Sequence, residues 1–136
     1  LRALGFDAPR RTPAQAGAIL AARTPEHDFL LYEYFLSDRA GHAQERAGAE
    51  AELRKLDVFL AAALNGLGLY GSAAAEDGTL FLVCSDHGNL EDLSVASHTR
   101  NPVPLLAWGA GAQAFVEQVS TLDDVAPAVA RTLVRD

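Results

Sequence analysis

Thr79-Leu80-Phe81-Leu82-Val83-Cys84-Ser85-Asp86-His87-Gly88-Asn89 is an apolar run that stops abruptly in an acid, an imidazole and a glycine turn. Preceded by Asp77-Gly78, it reads as a buried strand whose carboxyl end delivers Asp86 and His87. Upstream, Asp28-Phe29-Leu30-Leu31-Tyr32-Glu33-Tyr34-Phe35-Leu36 reads the same way and delivers Ser37 and Asp38. Between the two runs, from Gln44 to Leu67, apolar residues recur at helical spacing: Leu53, Leu56, Phe59, Leu60, Ala63 and Leu64. Glu45, Glu50, Glu52, Arg54 and Lys55 occupy the opposite side and are most simply a solvated face. Asn65-Gly66 and Gly68 supply the stop.

Working outward, Thr12-Pro13-Ala14-Gln15 forms a capping box with proline at the first helical position. The alanine-rich stretch after it is expected to be helical to about Arg23, ending before Thr24-Pro25. Val103-Pro104-Leu105-Leu106-Ala107-Trp108 is expected as a third strand, placed near an edge by its prolines. Thr121 caps a last helix, with Asp123 and Asp124 where the helix dipole favours acids. Strands separated by helices predict an α/β fold, a mostly parallel sheet flanked by helices. The short passage between the last two strands leaves room for a change of direction. No repeat or linker divides residues 1–136 into separate domains.

Composition narrows the functional classes. A chain of 136 residues with 49% hydrophobic residues can bury a sizeable core. Its formal net charge of −7 argues against nucleic acid or an anionic membrane as a general partner. No apolar run approaches the ~20 residues that a membrane helix needs, and no secretory pattern opens the chain. Cys84 is the only cysteine and has no internal disulfide partner, which fits a reducing cytoplasm. The chain starts at Leu1 and contains no methionine, so a processed or truncated piece is expected.

The chemistry concentrates in three short polar clusters. Asp38-Arg39-Ala40-Gly41-His42, Ser85-Asp86-His87-Gly88-Asn89 and Ser97-His98-Thr99 hold three of the four histidines. His27 falls outside them and reads as a solvated turn residue. In open α/β sheets, ligands bind at the carboxyl ends of strands, and Asp38 and Asp86 are both expected there. Neutral imidazoles with carboxylates suit divalent Zn or Mn and need no thiolate. Taken alone, Asp38 could be a helix-start cap, Asp86-His87 a polar turn and His98 a loop residue. Ser37 and Ser85, at strand ends, are better read as supporting hydrogen-bonders than as nucleophiles, and the same caution applies to Ser97 and Thr99. Glu91 and Arg100 are candidates to orient ligands or contact substrate. Gly41, Gly88 and Gly109-Ala110-Gly111 match neither a dinucleotide fingerprint nor a P-loop. Trp108 and Phe115 read as core.

In order, Asp38-Arg39-Ala40-Gly41-His42, Asp86-His87-Gly88-Asn89-Leu90-Glu91 and His98-Thr99-Arg100-Asn101-Pro102-Val103-Pro104 resemble the metal motifs of the alkaline phosphatase superfamily. The nearest branch is that of cofactor-independent phosphoglycerate mutase and phosphopentomutase, which share Asp-His-Gly-Asn and His-Thr before a Val-Pro strand. The resemblance runs from about Asp28 to the end of the chain. It implies an alkaline-phosphatase-like fold, of which this chain is the C-terminal half. It also implies two divalent metal ions, Mn or Zn, one held by Asp38, His42 and His98 and the other by Asp86 and His87.

The same resemblance implies that the second ion also needs an early aspartate and a nucleophilic Ser or Thr. Nothing before Asp28 supplies them, and Asp7 is a poor stand-in. Phosphoryl transfer from a small phosphorylated substrate would proceed through a phosphoenzyme, giving a mutase or, with water as acceptor, a hydrolase. The interval between His87 and His98 leaves little room for a substrate-specific insertion. A phosphodiesterase or general phosphatase with the same metals is the first alternative. A non-catalytic metal-binding remnant is the second. Half a sheet would leave an exposed edge, favouring a homodimer or pairing with a missing N-terminal half.

Overall fold

The computed structural model describes residues 9–70 and 78–134. Asp7, weighed above as a stand-in ligand, and Asp77 of the expected turn lie outside those residues. Helix α1 runs Pro13–Arg23 and opens on the predicted capping box: Gln15 N donates to Thr12 Oγ1 at 3.2 Å, and Thr12 N donates to Gln15 Oε1 at 3.0 Å. A short 3-10 turn, Thr24–Glu26, ends it at the predicted proline. Helix α2 spans Leu36–Ala43 and α3 spans Arg46–Gly66. Strands β1 (Leu80–Cys84) and β2 (Leu105–Gly109) follow, then α4 (Ala112–Glu117) and α5 (Leu122–Leu133). Thr121 and Asp124 form the capping box of α5.

Three sequence expectations need correction. The run Asp28–Leu36 is not a strand: residues 28–35 are non-helical and unpaired, and Leu36 begins α2. Strand pairing requires a neighbour that accepts and donates backbone hydrogen bonds, and none lies beside this run among the described residues. It lies instead along α3, where Tyr32 stacks on Phe59 at 4.9 Å between ring centroids. Phe29, Leu31 and Phe35 stay exposed.

The second correction concerns the sheet. Its two described strands pair antiparallel, Leu80 opposite Gly109 and Cys84 opposite Leu105, rather than forming a mostly parallel sheet. The 85–104 connection carries no helix, and without such a crossover a returning strand lies antiparallel to its predecessor. The third is the long helix. It starts at Arg46, not Gln44, because Gln44 takes a left-handed conformation (φ 55°) that closes α2. Its charged face is also not wholly solvated, since Glu52 is buried beneath Tyr34, whose hydroxyl donates to it, and paired with Lys55 Nζ at 2.7 Å. Burial alone would raise the Glu52 carboxyl, but the hydrogen bonds from Lys55 and Tyr34 outweigh it and hold the group below its ordinary value.

The stop of α3 follows the sequence closely. Gly68 (φ 67°) donates to Asn65 O at 3.1 Å, and Leu69 N reaches back to Leu64 O at 2.8 Å. This is a Schellman closure, with Leu64 and Leu69 providing its apolar contact. Leu69, fully buried, joins Ala21, Leu64 and Leu67 in a core on which Phe81 and Trp108 pack. That core ties the helix pair to the strand pair. The closeness of α1 and α3 depends on small residues: a Cβ at Gly17 would stand 2.2 Å from Phe59 O, and one at Gly66 would stand 2.6 Å from Ala21 Cβ. Helix α4 was not foreseen from the sequence; the left-handed Gly109 and Gly111 turn the chain into it. No helix among the described residues is long and apolar enough to cross a membrane.

Candidate metal centre

Asp38 and His42 are four residues apart on α2 and therefore share a face. Asp38 lies in the first turn of that helix rather than at a strand end, and α2 has no side-chain cap, so its carboxylate is not spent on backbone amides. His42 Nε2 stands 3.3 Å from Asp38 Oδ1. His98, from the loop between β1 and β2, places its Nε2 3.3 Å from the same oxygen. His87, just past β1, stacks on His98 at 3.6 Å between centroids and 15° between planes. Asp38, His87 and His98 each offer one ligand atom within 4.8 Å of the other two.

His42 and His98 both face Asp38, the three residues that the resemblance put around one ion. His87 stands beside both His98 and Asp86. The Asp86 side chain is 85% exposed, and its Oδ1 lies 3.5 Å from His87 Nε2. Arg100 is exposed, and among the described residues no ion pair holds it. His27 is exposed beyond the 3-10 turn, as its position suggested. Ser37 and Ser85 donate to backbone carbonyls, Tyr34 O at 3.4 Å and His87 O at 2.8 Å, the supporting role expected of them.

The donor set suits a cation. His42 Nδ1 lies 2.5 Å from Ala96 O, a contact that calls for a proton on Nδ1 and leaves Nε2 as a lone pair facing Asp38. A lone pair and a carboxylate oxygen at 3.3 Å repel unless a proton or a metal ion lies between them. Two atoms each bound to a tetrahedral zinc at about 2.0–2.1 Å stand roughly 3.3–3.4 Å apart, close to the two spacings at Asp38 Oδ1. The residues present therefore fit a divalent ion.

The loop carrying His98 is tied down by Glu91. That carboxylate accepts from Thr99 Oγ1, from Asn101 Nδ2 at 3.0 Å and from Asn89 N at 2.6 Å. Led by the Thr99 hydroxyl, these donors hold the Glu91 carboxyl down to about 2. Thr99 N also donates to Gly88 O at 2.8 Å, an isolated antiparallel bridge that sets His98 beside His87. Two residues that sequence reading gave no role complete the surroundings. Asn89 is buried against Asp38, and Gly41 leaves the space that Asn89 fills. Both stood inside the quoted motifs, but nothing in their spacing revealed that they touch.

An α/β chain with a cluster of imidazoles around one carboxylate has the makings of an α/β metalloenzyme. The chain belongs to the Metalloenzyme superfamily, whose family model matches residues 10–136. It is 31% identical over 114 residues to a 2,3-bisphosphoglycerate-independent phosphoglycerate mutase of Natronomonas pharaonis, covering 78% of this chain and 21% of that protein. A protein of the same description from Desulforudis audaxviator is 28% identical over 127 residues, 89% of this chain and 24% of its own length. A phosphopentomutase of Methylobacterium radiotolerans is 33% identical over 94 residues, 68% of this chain and 21% of that protein. The chain thus spans between a fifth and a quarter of the length of these curated relatives. No solved structure matches it.

Proposed function

We propose that this chain is the metal-holding C-terminal portion of an alkaline-phosphatase-like catalytic domain that transfers phosphate within, or removes it from, a small phosphorylated substrate. The convergence of Asp38, His87 and His98 on one spot is the observation that carries this reading. Asp38 would supply the negative charge and His42, His87 and His98 the neutral nitrogens of a first divalent site, Zn or Mn. Asp86, with its free carboxylate beside His87, is left for a second ion completed by residues outside this chain. Those would include the Ser or Thr nucleophile and further strands of a mostly parallel sheet. When bound, divalent ions supply Lewis-acid activation of a hydroxyl and neutralise charge on phosphoryl oxygens.

The chain's own residues then have definite tasks. Ala96 O fixes the His42 tautomer, and Glu91 orders the loop that presents His98. The exposed Arg100 would meet an anionic substrate group. The mutase reading is favoured over a general phosphatase because relatives named both phosphoglycerate mutase and phosphopentomutase align here. Metal stoichiometry by mass spectrometry, after equilibration with Zn or Mn, tests the proposal. About one tightly held ion per chain, lost in His98→Ala, is the expected result, with little or no turnover of phosphoglycerate or pentose phosphate by the chain alone. A wild-type chain that binds no ion, or robust turnover without further residues, would overturn it.

A further inference from the structure

The Asp38 carboxylate has a third neighbour besides the two imidazoles. Asn89 Nδ2 donates to Asp38 Oδ1 at 3.2 Å across 51 positions of sequence. Asn89 is 6% exposed, although it sits in a polar loop. It can be this deep because α2 presents Gly41 to it: a Cβ there would fall 1.3 Å from Asn89 Oδ1 and 2.5 Å from its Cγ. Gly41 is itself buried and helical, so its bare Cα serves close approach, not backbone freedom. The seating has a cost, since Asn89 Oδ1 is buried with no hydrogen-bond partner among the described residues. Such an orphaned acceptor is costly and calls for a compensating role.

We infer that Asn89 is a positioning residue, seated in the notch at Gly41 to aim Asp38 Oδ1 at the meeting point of His42 and His98. The device joins the two motifs directly: the Gly of Asp38-Arg39-Ala40-Gly41-His42 exists for the Asn of Asp86-His87-Gly88-Asn89. A carboxylate on the first turn of an exposed eight-residue helix would otherwise sample several rotamers. A single buried amide donor removes that freedom before any ion arrives, and such supporting contacts typically contribute tenfold to a hundredfold in metal affinity. The inference rests on the metal reading above for its functional meaning, whereas the contact itself does not.

Zinc titration of the wild-type chain, Asn89→Ala, Asn89→Asp and Gly41→Ala tests it, with thermal melts alongside. Both Asn89 variants should bind zinc roughly 10–100-fold more weakly, Asn89→Asp included because it keeps the shape but loses the donor. Gly41→Ala should weaken binding in the same direction by evicting the amide. The visible absorption of the cobalt(II) form should shift in Asn89→Ala, which a purely structural role would not cause. Affinity within twofold of wild type in Asn89→Ala or Asn89→Asp, with an unchanged cobalt spectrum, overturns the proposal. If the wild-type chain binds no zinc, the metal reading fails and the lock is judged in the metal-free chain by exchange of the Asn89 side-chain amide protons. Slow exchange that becomes fast in Asp38→Ala supports the lock; exchange as fast as that of exposed Asn65 refutes it.

Discussion

The α1–α3 helix pair and the cluster around Asp38 are built on opposite principles. In the helix pair, Gly17, Ala21, Ala63 and Gly66 bring two backbones together until no further methyl fits, and Ala63 is wholly buried. In the cluster, the His42 and His98 side chains are 43% and 49% exposed, and their placement rests on polar contacts between segments some 50 residues apart. The first region is held by apolar contact summed over many atoms and the second by a few directed bonds. Stability and metal binding should therefore be separable by mutation.

Gly17→Val should have the largest effect. Its Cβ would meet the Phe59 carbonyl at 2.2 Å, and backbone cannot yield cheaply, so the loss should reach about 3 kcal/mol, lowering the melting midpoint by roughly 10 °C. Thermal melting by circular dichroism measures it, and zinc affinity of the folded fraction should be unchanged. Loss of affinity at temperatures where the variant is fully folded would show that the two regions are coupled. Asp38→Ala inverts the test: zinc affinity should fall about 100-fold or more, while the midpoint moves by a few degrees at most.

Glu91 lies between these extremes. Glu91→Gln weakens three contacts that order the His98 loop, and zinc affinity should fall about tenfold in calorimetric titration. The sign of its pH dependence follows from a folded-state value near 2 against an ordinary 4.5. A depressed carboxyl contributes order that is complete above 4.5 and is lost as the pH falls from 4.5 towards 2. Amide signals of Thr99 and Asn101 should report that loss in wild type and stay flat over the same window in Glu91→Gln. The smallest effect is expected from Asp86→Asn. Its carboxylate stands in solvent, so the tightly held ion should be retained within about twofold, and a tenfold loss would make Asp86 a ligand of that ion.

Legibility from sequence tracked the range of the forces involved. The capping box at Thr12, the cap at Thr121 and the stop at Gly68 involve residues within five positions of one another, and all three were read correctly. The run 28–36 was misread because its apolar, aromatic composition is that of a strand, whereas a strand exists only when a second chain segment accepts its hydrogen bonds. Asp38, His42, Asp86, His87 and His98 were identifiable as a ligand-type set from residue chemistry, but not the contacts that bring them together. Those contacts depend on the 85–104 loop folding back over α2.

What the sequence determined by itself was the helices α1, α3 and α5, the caps of α1 and α5, and the inventory of donors. Helical periodicity and capping are local, and the chemistry of an imidazole or carboxylate travels with the residue. What only the tertiary structure decided was the antiparallel pairing of β1 with β2, the burial of Glu52 under Tyr34, and the seating of Asn89 against Gly41. Each of these joins residues 18 or more positions apart, and no local preference specifies which distant group will satisfy a given hydrogen bond.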